Sequence, residues 1–237
     1  MSIKVNLEVP GWSTEIELMV LARLAQLVPD GGTIVELGTL AGRTAYAMAA
    51  SNPKVKVHCV DVWENFLKSS IPEPSLMHFS GDIEAFDTEN IYECFLKQVE
   101  GLDNIVPHRG KTTEVPWDSD EKIDLLYIDA DHDEEPVYQD LLKWFPRMKR
   151  NGIILGHDFN MGSVKRALAR FSHETDKMGE YMQLINIPSC VIWAYVRGTD
   201  HAKSWGMDFT SLFPYGCWHY PLTEAGFGKK KSEATES

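Results

Sequence analysis

Ile34-Val35-Glu36-Leu37-Gly38-Thr39-Leu40-Ala41-Gly42-Arg43-Thr44, running on into Ala45-Tyr46-Ala47-Met48-Ala49-Ala50, decides how the rest of the chain is read. It opens as a short apolar run after Asp30-Gly31-Gly32, the signature of a buried strand. It closes in an alanine-rich segment with helical spacing. Between the two lies a turn with glycines at 38 and 42. Strand, glycine turn and helix together make a cradle. Small residues let the backbone approach a ligand, and the helix N-terminus offers free N–H groups to an anion.

The spacing narrows the ligand. A dinucleotide fingerprint reads G-x-G-x-x-G. Aligned on Gly38, this chain has Glu36 in place of the first glycine and Ala41 in place of the last. A carboxylate at position 36 repels a pyrophosphate but suits a ligand carrying an ammonium and a sulfonium, as S-adenosylmethionine (SAM) does. The ligand's own carboxylate still gains about 0.3–1 kcal/mol at the helix N-terminus, or about 2 kcal/mol when partly buried. Glu36, Gly38 and Gly42 resemble motif I of the class I SAM-dependent methyltransferases, E/D-x-G-x-x-x-G, with Thr39 in the same turn.

Outward from this motif, Thr14 and Glu17 form a capping box ahead of an apolar helix that ends at Pro29-Asp30-Gly31-Gly32. In the methyltransferase reading this helix leads into the first strand, at 33–38, and lines the cofactor site. The second strand, 55–62, ends in Asp61, where one carboxylate can accept from both hydroxyls of a ribose. Val62 follows, and then Trp63, which either stacks on an adenine or covers the sheet edge. Residues 64–87 do not fit a minimal βαβ repeat and read as an insert, either a lid over the substrate or a surface excursion. A helix at about 88–100 and a third strand at 104–108 come next. Gly110-Lys111-Thr112 is placed like the small-residue turn that passes near the adenine in many class I methyltransferases.

The fourth strand exits through Asp129-Ala130-Asp131-His132 and the fifth through Gly156-His157-Asp158. Ends of consecutive parallel strands lie side by side at the ligand face. Several like charges there repel unless a cation or proton is present. Either a divalent metal binds, or some of the carboxylates point away. Oxygen donors suit Mg²⁺, and added imidazole shifts the preference toward Mn²⁺, Fe or Zn²⁺. Asp133, Glu134 and Glu135 beside Pro136 are what a helix N-terminus calls for, and Asp124 and Asp140 read as solvated. The runs 182–187 and 190–197 read as an antiparallel hairpin at the sheet edge.

Ile128-Asp129-Ala130-Asp131-His132 with Gly156-His157-Asp158-Phe159 resembles the methyltransferase subfamily with an "IDGDH…HD" pattern, related to the catechol O-methyltransferase group. The resemblance covers roughly residues 14–197. It implies an α/β, Rossmann-like class I fold: a seven-stranded, mostly parallel sheet with a terminal antiparallel hairpin and helices on both faces. It also implies methyl transfer from SAM to a hydroxyl of a small molecule, of sugar or phenol type, with a divalent cation as a further cofactor. Asp129 and Asp158 match two metal ligands of that group. The expected Asn is displaced by Phe159, so His157 or Asn160 fills the third place. Asp129 also borders the cofactor. His132 is either the general base or a cap on its turn.

The 237 residues read as one domain, 1–227, with an aromatic-rich extension at 199–227 that caps the site or forms a subunit interface, and a polar tail at 228–237 that reads as disordered. A net charge of −12 disfavours an extensive nucleic-acid surface. The four cysteines are widely spaced, without C-x-x-C, and read as reduced thiols of a cytoplasmic protein. No signal peptide or membrane span is read. Two other functions fit less well: a nicotinamide-dependent oxidoreductase, opposed by Glu36 and the hairpin, and a non-catalytic SAM-binding module.

Overall fold

Central strands of an α/β sheet are covered on both faces, so they are apolar throughout rather than alternating. β1 (Thr33–Leu37) and β4 (Ile123–Ile128) are covered in this way, every residue in both being buried, and they are apolar but for Thr33, Glu36 and Asp124. They pair in parallel with each other, and β1 pairs on its other side with β2 (Lys56–Asp61). The structure, a computed structural model, describes residues 3–66, 79–81, 86–118, 120–177, 182–186, 191–197 and 218–220.

The remaining elements follow in chain order. α1 (Glu15–Ala25) precedes β1, α2 (Arg43–Ser51) follows it, and α3 (Ile91–Gln98) follows β2. Then come β3 (Ile105–Arg109), β4, α4 (Glu134–Trp144), β5 (Met148–Gly156), α5 (Gly162–Lys177), β6 (Met182–Asn186), β7 (Trp193–Arg197) and β8 (Trp218–Tyr220). The sheet order is β3-β2-β1-β4-β5-β7-β6-β8. The first five strands are parallel, and β7, β6 and β8 join antiparallel. The seven expected strands are present with the terminal hairpin. The sheet has an eighth, because a short piece of the aromatic extension adds to the edge of β6.

Successive strand residues alternate between two cores. Ile34, Val57 and Leu125 pack with Leu21, Met48 and Phe95 from α1, α2 and α3. Val35, Val60 and Leu126 pack with Trp144, Leu168 and Phe171 on the opposite face. The chain runs outward from β1 to β3, then returns to β4 on β1's other side. The reversal between β1 and β4 opens a crevice at their carboxyl ends, where ligands bind in such sheets.

The lead segment is more closely integrated than its sequence indicates. Arg43, 4% exposed, donates to the carbonyls of Leu7, Val9 and Ser13, and Gly11 bridges Ser80. Asp124 and Asp140, expected in solvent, are buried. Asp124 accepts from the Thr33 N–H and from Lys149, tying β4 to β1 and β5. Burial pushes the Asp140 carboxyl up to about 6, against the pull of Thr112 and Lys143. Cys59 and Cys94 are buried free thiols. Among the described residues no helix is long and apolar enough to cross a membrane. Most of the insert, the aromatic extension apart from β8, and the tail lie outside the described residues.

His58 sits mid-strand under the 110–122 segment, with its Nδ1 2.8 Å from Nε2 of His108 and its Nε2 3.4 Å from Glu121. Burial lowers its pKa to about 4, against the pull of Glu121 and with the help of His108. The unfolded chain takes up this proton near pH 6.5, the folded chain only near 4. Stability is therefore lost as pH falls through that window. Thermal melts of His58→Gln should show a smaller decline than wild type between pH 6.5 and 4, by roughly 6–12 °C. Parallel melting curves for the two proteins would rule this account out.

Candidate active site

The glycine turn leaves β1 under steric constraint. Gly38 has φ +87°, and a Cβ there would lie 2.2 Å from the Asp129 carbonyl oxygen. β1 and β4 thus approach so closely that only glycine fits. Gly42, at φ +89°, caps α2 and lies against Phe95. Leu40 (φ 50°) and Trp63 (φ 43°) also adopt left-handed backbone, uncommon for bulky residues. One side chain fixes both. Asp61 accepts the Leu40 N–H at 2.8 Å on one carboxylate oxygen and the Trp63 N–H at 2.7 Å on the other. The Trp63 indole N–H returns a bond to the Leu40 carbonyl at 2.8 Å. The ring, 1% exposed, packs against Tyr92 and Phe95. The ring thus belongs to the core cluster on the α1–α3 side of the sheet.

Each Asp61 oxygen retains a lone pair for a ribose hydroxyl. Val62 beside it is 42% exposed. The Gly110 N–H binds the Asp61 carbonyl, bringing the 110–112 turn to the same strand end. Lys111 points to solvent, 3.1 Å from Glu114. Thr39 is buried with its hydroxyl unpartnered.

Among the described residues, Glu36 is the buried carboxylate with neither oxygen partnered, and its burial is complete. Burial lifts its pKa to about 8. Thr44 and Thr39 lie near enough to oppose the rise without forming well-shaped bonds, and the charges of Asp129 and Asp61 add to it. An orphaned buried carboxylate is costly unless something cationic or donating arrives. Together with the glycine cradle it fits SAM, whose charged amino-acid end supplies such groups.

The second constellation assembles around His157. Its Nδ1 lies 3.3 Å from Asp158 Oδ1 and 3.5 Å from Asp129 Oδ1. Ligating atoms of the three residues lie within 4.8 Å of one another. Asp158 stands at φ 58°, as the backbone turns out of β5. Phe159 is buried and Asn160 exposed, and His157 lies with the two aspartates. Burial would lower His157, but Asp129, Asp158 and Glu17 outweigh it and hold the ring as imidazolium. Burial raises Asp129 to about 7; His157 opposes this and Asp158 reinforces it. Tyr127 donates to Asp129 at 3.2 Å. Two carboxylates and an imidazole form a donor set suited to a divalent cation, and the imidazolium proton occupies the place of positive charge in its absence.

Asp131 lines the same crevice with Val164 and Trp193. His132 lies on the solvent side, its carbonyl accepting from Ser163 at 2.6 Å and its imidazole exposed. Glu134 and Glu135 open α4 and pair with Arg166 and Arg170. Glu17 was not expected here. Its only sequence signal is the capping box, which accounts for one of its two oxygens.

A parallel sheet with this strand order, a glycine cradle beside an orphaned carboxylate at β1 and an acid closing β2 define a class I, SAM-dependent methyltransferase architecture. The chain belongs to the methyltransferase domain family, whose model matches residues 35–159. Among solved structures, the O-methyltransferase NovP superposes with a TM-score of 0.55 at 14% identity, covering 76% of this chain and 78% of NovP. A Staphylococcus aureus protein assigned as a caffeoyl-CoA O-methyltransferase gives 0.52 at 14% identity, covering 78% of this chain and 85% of its own. TrmN from Thermus thermophilus gives 0.52 at 15% identity, covering 79% of this chain and 50% of TrmN. At these identities the likeness concerns the fold. A search of curated protein sequences finds no significant match.

Proposed function

We propose that this chain transfers the methyl group of SAM to a hydroxyl oxygen of a small acceptor, beside a divalent cation held by Asp129, His157 and Asp158. The observation that carries the reading is that trio, set at the ends of β4 and β5 next to the glycine cradle. Glu36, Gly38, Thr39, Gly42, Asp61, Val62, Gly110 and Lys111 form the cofactor wall, with Asp129 between cofactor and acceptor. When bound, the cation supplies Lewis acidity that lowers the acceptor hydroxyl's pKa. When bound, SAM would supply the methyl group to the acceptor oxygen, the carbon–sulfur electron pair going to sulfur and S-adenosylhomocysteine being the product, while Glu36, Asp61 and the glycine turn would hold it in place. The hydroxyl proton passes to the exposed imidazole of His132. Holding the methyl and the oxygen in line accounts for most of the acceleration. Glu36, buried where a dinucleotide fingerprint needs its first glycine, argues against a nicotinamide cofactor, whose pyrophosphate needs close backbone approach there.

Calorimetric titration of EDTA-treated protein with S-adenosylhomocysteine, with and without Mg²⁺ or Mn²⁺, tests the reading, followed by methyl-transfer assays on catechol and sugar hydroxyls. Binding and metal-stimulated transfer are expected. Asp158→Asn should weaken metal uptake at least tenfold. His132→Ala should keep S-adenosylhomocysteine affinity and lower turnover by about 10²-fold or more. Binding without transfer to any hydroxyl acceptor would favour a non-catalytic SAM-binding module. Binding of NAD in place of S-adenosylhomocysteine would overturn the reading altogether.

A further inference from the structure

We infer that Glu17 is a positioning residue for the candidate metal site: it fixes the His157 ring so that Nδ1 is presented to Asp129 and Asp158. The inference rests on the metal-binding reading above. A capping box requires one carboxylate oxygen at the helix N-terminus. Glu17 Oε2 meets that requirement, accepting from the Thr14 N–H at 2.8 Å and the Thr14 hydroxyl at 2.9 Å. Capping does not explain the other oxygen. Oε1 turns into the protein, 3.3 Å from His157 Nε2, and accepts the Val191 N–H at 3.2 Å. Ordinary capping carboxylates sit in solvent, whereas Glu17 is 3% exposed. Burying a carboxylate is unfavourable unless its partners are defined.

The geometry gives this placement a purpose. The His157 backbone is held on both sides, its N–H donating to the Ile128 carbonyl at 3.0 Å and its carbonyl accepting from the Trp193 indole at 2.9 Å. The remaining freedom is rotation of the ring, which exchanges the two nitrogens. A carboxylate at Nε2 keeps a proton there, which leaves the Nδ1 lone pair for a cation between the two aspartates. This carboxylate–imidazole–metal arrangement orients the ligand and raises its basicity. Glu17 lies 140 residues from His157, and it ties the α1 N-terminus, the β5 exit and the approach to β7 to the orientation of one ring.

The test uses Co²⁺ as the probe on the full chain stripped of metal, with uptake followed by calorimetry and by visible absorption. Glu17→Gln should bind Co²⁺ about 10- to 100-fold more weakly than wild type, with a shifted absorption band. Thr14→Ala removes the cap hydroxyl but keeps the oxygen facing His157, so it should bind Co²⁺ as wild type does. Nitrogen-15 NMR of the Zn²⁺-loaded wild type gives a readout that needs no variant: Nε2 should carry the proton and Nδ1 the metal. Wild-type Co²⁺ affinity and spectrum in Glu17→Gln, or the opposite tautomer, would reduce Glu17 to a cap and leave the metal site standing. Failure of wild type to take up Co²⁺ would overturn the metal reading and this inference together.

Discussion

Asp61→Ala is expected to lower S-adenosylhomocysteine affinity by more than 100-fold and to destabilise the protein as well. The side chain does more than face a ribose. Its two oxygens hold the N–H groups of Leu40 and Trp63, both in left-handed backbone. Alanine leaves two donors without their charged partner and two uncommon conformations without support. Hydrogen bonds to a charged group contribute about 1.5–3 kcal/mol each. A loss of about 3 kcal/mol corresponds to roughly 6–12 °C in Tm for a chain of this size. Asp61→Asn should fall between, since an amide accepts with one end only. Calorimetry gives the affinity and thermal melts give the stability. Unchanged affinity would remove Asp61 from the cofactor site, and an unchanged Tm would contradict its role in the turn.

Glu36→Gln should act in the opposite sense on stability while still impairing binding. Glu36 ionises near pH 4.5 when exposed and near 8 when buried here. For an acid whose folded pKa is raised, the favourable contribution is full below pH 4.5 and is lost as pH rises through 8. Between those values the folded state must hold a proton that the unfolded chain releases. Glutamine carries no such penalty. The variant should therefore be more stable by about 3 kcal/mol at pH 7, or roughly 6–12 °C in Tm. At pH 4 the two proteins should melt close together. Affinity for SAM, whose ammonium and sulfonium gain from a carboxylate, should fall at least tenfold. A variant no more stable than wild type at pH 7 would mean that Glu36 already has a partner. Binding sites that sacrifice stability in this way are expected where activity needs a strained or uncompensated group.

The position of the cradle was legible because it depends on local sequence. Apolar residues before Gly38 and alanines after Gly42 mark strand, turn and helix, and the structure places β1 and α2 there. The Thr14–Glu17 box was equally readable, being four residues with reciprocal bonds. The second constellation was half legible. Strand ends at Asp129 and Asp158 follow from apolar runs and the parallel arrangement. Which neighbour completes the set did not, because the turn at Asp158 buries Phe159, turns Asn160 outward and leaves His157 inside.

The burial of Asp124 and Asp140 was missed for a related reason. A charged residue in an amphipathic pattern reads as solvent-facing, yet here the Thr33 N–H and the exposed Lys149 ammonium both reach the buried Asp124 carboxylate. The eighth strand escaped notice because three residues carry little periodicity, and their strand state comes from the partner edge of β6.

By itself, the sequence determined the order of strands and helices, the glycine turn, the acids that close the strands and hence the methyltransferase class. Those are properties of neighbours along the chain: the period of apolar residues, the conformational freedom of glycine, the spacing of a motif. Tertiary structure alone decided that Asp61 would fix Leu40 and Trp63, that Glu36 would be buried without a partner, and that Glu17 would reach His157. Each of these depends on distances between residues far apart in the chain, set by how the sheet twists and how the helices pack on it, and no local pattern encodes them.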